Sequence, residues 1–254
     1  MSKGGRLEAQ MTVPVGGWAV SATNAAGGPT VVTVPAGSYY GSDLLTTFAA
    51  QLNASRPPGW TVTASLGEGG TGLVTINCSS TPWSITWTST DLRNALGFTG
   101  NIVAVSSSQV GTSSLDGVWI PDCPMARRDT SYGLDVRSDR RDSVSPTGAV
   151  YTLVGNTHFR HPPLAWSHVS RSRAQPTGGR NNWFQFVYRT QLGTVSYFAP
   201  GAMVNIYTDA DASTLLAASP AKMPGLADSV GMEPSVAGWD GRWRITTPEL
   251  IQEP

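Results

Sequence analysis

The fold is decided by residues 30–105, the one long stretch in which strand, helix and turn signals agree. It begins with TVVTVPAGSYYGSDLLTTFAAQLN (30–53), continues with WTVTASLGEGGTGLVTINCSSTPWSITW (60–87) and closes with DLRNALGFTGNIVAV (91–105). The stretch contains no carboxylate pair, metal-ligand set or activated nucleophile. It therefore predicts a packing module rather than a reaction centre.

A strand followed by an amphipathic helix opens this module. The β-branched run 30–34 predicts the strand. Ser42 is the expected N-cap of the helix, and Asp43 lies in the first turn, where its charge suits the helix dipole. One apolar stripe then recurs at helical spacing and comprises Leu44, Leu45, Phe48, Ala49 and Leu52.

An antiparallel meander of three strands is predicted next, because apolar and polar residues alternate with a period of two. Outward positions are mostly Ser and Thr, which leaves faces and edges that can pair with a neighbouring subunit. The inward positions are Trp60, Val62, Ala64 and Leu66, then Val74, Ile76 and Cys78, then Trp83, Ile85 and Trp87.

Two turns complete the module. The Gly-rich segment 67–72 predicts a hairpin loop; a phosphate cradle is disfavoured, since the P-loop pattern is absent and no helix follows. Thr90 or Asp91 is expected to cap a short helix that ends with Gly97 as its C′ residue. A last strand is expected at 102–105.

Composition excludes some classes of protein. Hydrophobic residues make up 40% and charged residues 13% of the 254 residues, and 17 basic residues balance 17 acidic ones. A zero net charge favours association and argues against a dedicated nucleic-acid binder. Cys78 and Cys123 have no ligand spacing and are expected to be buried thiols. No segment is apolar enough for a signal peptide or a membrane span.

The composition changes after the module, where nine charged residues occur between Met125 and Asp142. Two interpretations remain open: a solvated linker with local ion pairs, or an intersubunit contact between Arg and carboxylate groups. The candidate contact residues are Arg127, Arg128, Asp129, Arg137, Asp139, Arg140, Arg141 and Asp142.

The predicted fold class is mainly β with minor α, in two domains. Residues 1–122 would form the α+β meander module together with a polar N-terminal arm. Residues 123–149 would be the charged linker. Residues 150–254 would form a β-rich domain with extended wrapping segments, in which 183–188 is predicted as a strand paired with 193–198.

No motif indicates catalysis or a metal site. His158 and His161 have the spacing of a ligand pair only in a helix or tight turn, which the two following prolines disfavour. No nucleophile-elbow motif occurs. Asp209 and Asp211 do not meet the calcium-loop pattern and indicate a turn. The sequence therefore predicts a protein that is not an enzyme and carries no cofactor.

Two short motifs carry a resemblance. The strand end Val34–Tyr39 (VPAGSY) and the closing turn Leu96–Phe98 (LGF) resemble a module of structural proteins in virus particles, where a helix and a meander lie between them. The neutral, Ser/Thr/Gly-rich and Trp-rich composition resembles virion proteins of tailed double-stranded DNA bacteriophages. The resemblance covers about residues 30–105 and implies a component of the tail, tail tip or baseplate. It implies no catalytic residues.

The expected function is that of a non-enzymatic structural subunit of the virion, assembled in the cytoplasm of the bacterial host. Its expected partners are further copies of itself in a symmetric homo-oligomer and other virion structural proteins, without nucleic acid or membrane insertion. One alternative is a head decoration or accessory capsid protein. The other is a carbohydrate-binding module for host surface glycan, with stacking platforms among Trp60, Trp83, Trp87, Trp183, Trp239 and Trp243.

Overall fold

Antiparallel sheets dominate the protein, and the prediction of a mainly β fold with minor α is confirmed. A computed structural model describes residues 4–24, 27–55, 61–67, 70–123, 125–126, 135–144, 150–161, 163–175, 180–209, 215–216, 220–224, 231–234, 241–248 and 250–252.

The strands before residue 124 are β1 (Gly4–Ala9), β2 (Met11–Val13), β3 (Trp18–Asn24), β4 (Gly27–Val34), β5 (Gly37–Tyr39), β6 (Val62–Leu66), β7 (Leu73–Cys78), β8 (Trp83–Trp87), β9 (Ile102–Ala104), β10 (Ser108–Ser114) and β11 (Val118–Trp119). The later strands are β12 (Met125–Ala126), β13 (Asp135–Val144), β14 (Val150–His161), β15 (Ala165–Ser170), β16 (Val204–Asp209), β17 (Met232–Pro234), β18 (Arg242–Thr246) and β19 (Leu250–Gln252). The helices are α1 (Gly41–Ala54), α2 (Thr90–Ala95), α3 (Arg171–Ala174) and α4 (Trp183–Phe186), and a π-helical turn at Val187–Gln191 continues α4.

The three strands of the predicted meander divide between two sheets. β6 and β7 form the expected hairpin and continue to β10, in the order β10-β7-β6. β8 instead pairs with β3, in the order β4-β3-β8-β9. Alternation had identified the buried face of each strand correctly, since Val74, Ile76 and Ile85 are buried. It does not specify the neighbour that a strand pairs with.

Helix α1 covers this core with the predicted stripe. Leu44, Leu45, Phe48 and Leu52 are buried, as expected, and Ala49 is half-buried. The N-cap is Tyr40 and not Ser42. Similarly, α2 is capped by Ser89, whose Oγ accepts from the backbone N–H of Leu92 at 3.2 Å, in place of the predicted Thr90 or Asp91.

The N-terminal residues do not form the expected polar arm. β1 is the central strand of a sheet in the order β11-β1-β16, and Leu7 and Ala9 are fully buried. Polar residues made this segment look exposed, but Arg6 and Glu8 are buried together as an ion pair. Because β16 comes from the second predicted domain, the two domains share this sheet and one continuous hydrophobic core.

Two further segments differ from the prediction. Part of the charged linker is the strand β13, which forms a long antiparallel hairpin with β14. Residues 183–191 are helical and not a strand. Asn182 caps α4 by accepting from the N–H of Gln185 at 2.9 Å, and the buried positions Trp183, Phe186 and Val187 follow helical spacing.

Candidate functional site

The predicted contact residues lie partly on one free strand edge. Arg127, Arg128 and Asp129 lie outside the described residues. The other five occupy β13, the first strand in the sheet order β13-β14-β19, and they are Arg137, Asp139, Arg140, Arg141 and Asp142. Within the described part of the chain, one edge of β13 is therefore unpaired.

The register of the hairpin shows how β13 is placed. Ser138 pairs with Thr157 and Arg140 with Val154, so two residues of β14 lie opposite Asp139. This β-bulge belongs to β14. β13 itself is continuous from Asp135 to Val144, and its outer edge can accept another strand.

A second candidate surface is the outer face of the sheet β4-β3-β8-β9. Val31 in β4 and Val103 in β9 are 70% and 81% exposed. The registers place Ser21 beside Val31, Thr86 on the other side of Ser21, and Ser84 beside Val103. The outward hydroxyl face agrees with the sequence prediction, but the exposed valines were not anticipated. β-Branched residues at strand positions carry no signal that separates an exposed face from a buried one.

Tryptophan burial weakens the carbohydrate alternative. Trp83, Trp87 and Trp183 are buried, and Trp243 is half-buried; Trp60 and Trp239 lie outside the described residues. Trp183 belongs to an aromatic cluster in which the ring centroid of Trp119 lies 4.8 Å from Trp183 and 5.0 Å from Trp166. Rings packed in this way cannot stack on a sugar.

Asp116 is a buried carboxylate with several polar partners. Its carboxylate accepts from Nε of Arg189 at 2.8 Å, from the hydroxyl of Tyr197 at 2.5 Å and from the N–H of Gly117 at 3.0 Å. Asp116 is 2% exposed. No sequence pattern predicts this network, because Asp116 is far from Arg189 and Tyr197 in the chain.

The pKa values of its members follow from burial and mutual contact. Burial raises the pKa of Tyr197 above its ordinary value, and the charge and hydrogen bond of Asp116 raise it further. Burial lowers the pKa of Arg189, but its hydrogen bond and ion pair with Asp116 outweigh that effect and raise the pKa. The Asp116 carboxylate therefore connects Tyr197 and Arg189, and its contacts favour the neutral form of the tyrosine and the charged form of the arginine.

A polar cleft of about 330 Å³ adjoins this network. The cleft lies between two strand ends, the start of β7 and the end of β10, on one side and α3 with the segment 180–181 on the other. Arg180 links the two features, since its Nη1 lies 3.8 Å from Asp116 and also donates to the carbonyl of Asn94 at the end of α2. The lining residues are Thr71, Leu73, Thr112, Ser113, Ser114, Ser172, Arg173, Arg180 and Asn181.

The three histidines lie in strands β14 and β15. His158 and His161 lie in β14, and His168 lies in β15 with a positive φ of 66°. Within the described ranges, no three His, Cys, Asp or Glu side chains are grouped to hold a metal ion. A search of the same residues finds no helix with the length and apolar character to cross a membrane. The thiols of Cys78 and Cys123 are buried, as predicted.

In comparisons with known proteins, no family model, no curated protein and no solved structure matches this chain.

Proposed function

We propose that this protein is a structural subunit of a bacteriophage particle, in the tail or its distal or baseplate assembly, and that it acts through protein–protein contacts. The observation that carries the proposal is the charged strand β13, one edge of which has no partner strand among the described residues. A free strand edge is a template for another strand, and one with both charge signs selects its partner.

The sequence of β13 is complementary to itself. Asp135, Arg137, Asp139 and Arg141 occupy alternate positions of β13, and their charges alternate in sign. When two copies pair antiparallel about a two-fold axis at Ser138, Arg137 of each copy faces Asp139 of the other, and Asp135 faces Arg141. Opposite charges at facing positions stabilise such a pair.

Neighbouring registers are disfavoured. Moving the axis to Asp139 places Arg137 opposite Arg141, and moving it to Arg137 places Asp135 opposite Asp139. Like charges directly opposite one another destabilise a strand pair. The charge pattern therefore disfavours these two one-residue shifts, and the zero net charge of the chain adds no long-range repulsion between copies.

Two further observations support a role in assembly. The exposed valines of the β4-β3-β8-β9 sheet offer apolar contact area among hydroxyl groups. The assignment to a phage particle comes from the resemblance at Val34–Tyr39 and Leu96–Phe98. The first segment connects β4 to α1, and the second closes α2.

Charge exchange on β13 tests self-pairing. We expect Arg137→Asp to weaken association by roughly tenfold, since two symmetric attractive pairs become repulsive. The double variant Arg137→Asp/Asp139→Arg restores opposite charges at the same positions and should restore association. Sedimentation equilibrium at low and high salt measures both. If the double variant stays as weak as the single one, β13 does not pair with itself.

Membership of the particle needs a separate test. Particles purified from a phage that encodes this chain should contain it in a fixed copy number, measured by quantitative mass spectrometry. Its absence from purified particles would exclude the virion role, whatever the result for self-association.

A further inference from the structure

Two guanidinium groups line the polar cleft, and the carboxylates of the described residues neutralise them only partly. Arg173 has no ion pair within the described part of the chain, and its Nη1 donates only to the carbonyl of Asn181, at 3.4 Å. Burial lowers its pKa, with the charge of Asp122 opposing. Arg180 faces Asp116, but that carboxylate is already held by Arg189 and Tyr197.

One hydroxyl group in the cleft is buried without a partner. Ser114, at the end of β10, is 3% exposed, and its Oγ makes no hydrogen bond in the described part of the chain. An unsatisfied buried hydroxyl costs free energy, so such groups in native proteins have a ligand or water as partner. The hydroxyls of Thr71 and Thr112 line the same space.

The cleft has a fixed framework. The side-chain amide of Asn181 donates to the carbonyls of Gly70 and Thr71, both at 3.0 Å, and its Oδ1 accepts from the N–H of Ile120 at 3.0 Å. These bonds hold the β6–β7 loop against the end of β11. The lining groups are therefore positioned before a ligand arrives, which lowers the entropic cost of binding.

We infer that this cleft binds an oxyanion, a carboxylate or a phosphate group, between Arg173, Arg180 and Ser114. Guanidinium groups donate paired hydrogen bonds to both kinds of group, and a hydroxyl adds a further donor. The volume of 330 Å³ is sufficient for either. The oxyanion can belong to a free small molecule or to an acidic side chain of a neighbouring protein. No residue of β13 lines the cleft, so a test of anion binding is independent of the proposed pairing of β13 with itself.

Calorimetric titration at constant ionic strength tests the site. One arm uses inorganic phosphate, and the other uses a short Glu-containing peptide with its Gln counterpart as the uncharged control. We expect at least one of these anions to bind. Phosphate alone would identify a free oxyanion as the ligand, and preference for the Glu peptide would identify an acidic side chain. A dissociation constant weaker than about 10 mM in both arms would overturn the inference.

Two matched variants locate the binding. Arg173→Gln should weaken binding of that anion by roughly tenfold, which is the effect of losing a charged hydrogen bond. Arg171→Gln removes the same charge from the same helix, but Arg171 is exposed and bonds to Gln175 outside the cleft, so binding should change by less than about twofold. Equal losses in the two variants would indicate a general charge effect and overturn the site.

Ser114→Ala covers the case in which Arg173→Gln fails to fold. The substitution removes an oxygen that has no protein partner in the described part of the chain, so the melting temperature without anion should not fall. Anion affinity should fall by about threefold or more, because a donor is lost. Unchanged affinity in this variant would exclude Ser114 from the site and contradict the inference as stated.

Discussion

Glu8 in β1 and Ser42 in α1 are joined by two hydrogen bonds, although 34 residues separate them. The backbone N–H of Ser42 donates to Oε2 of Glu8 at 3.1 Å, and the Ser42 hydroxyl donates to the same oxygen at 2.8 Å. Glu8 is fully buried and forms an ion pair with the buried Arg6. The carboxylate of Glu8, which lies in strand β1, thus accepts a hydrogen bond from a backbone N–H at the N-terminus of α1. Its negative charge interacts favourably with the helix dipole there.

Replacing Glu8 should destabilise the protein strongly. Glu8→Gln would leave the Arg6 guanidinium buried without its counter-charge, and it would weaken the two bonds from Ser42. We expect the free energy of unfolding to fall by about 3–5 kcal/mol. Urea unfolding followed by circular dichroism measures this change.

Glu233→Gln is the matched control. Glu233 forms an ion pair with Arg244 at 3.4 Å, but its side chain is 61% exposed. Exposed pairs contribute about 0–1 kcal/mol, so this variant should be nearly as stable as the original chain. Similar losses in the two variants would show that burial of Glu8 does not set its contribution.

Gly97 should not tolerate a side chain. It follows α2 with φ of +78°, its N–H donates to the carbonyl of Asn94, and the N–H of Phe98 donates to the carbonyl of Arg93. A Cβ at Gly97 would overlap the carbonyl oxygen of Ser113. We expect Gly97→Ala to lower the free energy of unfolding by at least about 2 kcal/mol, from the left-handed backbone and the overlap together.

Gly100→Ala provides the comparison for Gly97. A Cβ at Gly100 meets no atom within 4 Å, so we expect a change within about 0.5 kcal/mol. Chemical unfolding of both variants under the same conditions gives the difference. A tolerated Gly97→Ala would mean that the closing turn of the module is not packed against β10 as described.

Stability should depend on Tyr197 at high pH. The folded-state pKa of Tyr197 lies above its ordinary value of 10.0, chiefly through burial and then through Asp116. Its contribution is therefore complete below about pH 10 and is lost as the pH rises beyond that, because only the unfolded chain releases the proton. The slope contributed by one tyrosine is at most about 1.4 kcal/mol per pH unit.

Burial also raises the pKa of Tyr40 and Tyr207, so these two tyrosines contribute to the loss of stability at high pH as well. The variant Tyr197→Phe separates the contribution of Tyr197 from theirs. At neutral pH the variant should lose about 1.5–3 kcal/mol, from the missing hydrogen bond to Asp116. Above about pH 10 it should lose stability less steeply than the original chain. Tyr188→Phe, at a residue that is 45% exposed, should match the original chain in both respects.

Cys123 should be unreactive in the folded protein. Burial, followed by the charge of Asp122, raises the pKa of its thiol from 9.0 to about 11, while Arg242 opposes the shift. At about pH 8 the thiolate fraction is roughly a hundredfold lower than in the unfolded chain. Labelling with a thiol reagent should therefore be slow until denaturant is added. Measured on Cys78→Ser, rapid native labelling would contradict the described burial.

The sequence determined which side chains are buried in helix α1 and in strands β7 and β8. Alternation and helical spacing report the exposure of each side chain along one element, and Val74, Ile85 and Phe48 are buried as predicted. Gly97 was likewise identified as the residue that ends α2, because its backbone conformation is a local property. Local chemistry decides these features, so they can be read from the chain.

Only the tertiary structure decided the pairing between distant segments. Nothing in a strand's alternation states that β8 pairs with β3, or that the polar residues 4–9 form a central strand beside β16. Burial of Asp116 depends on Arg189, a partner far away in the chain, because a buried charge needs a counter-charge that folding brings to it. The polar cleft arises in the same way, from a loop, a strand end and a short helix that are adjacent only in the folded chain.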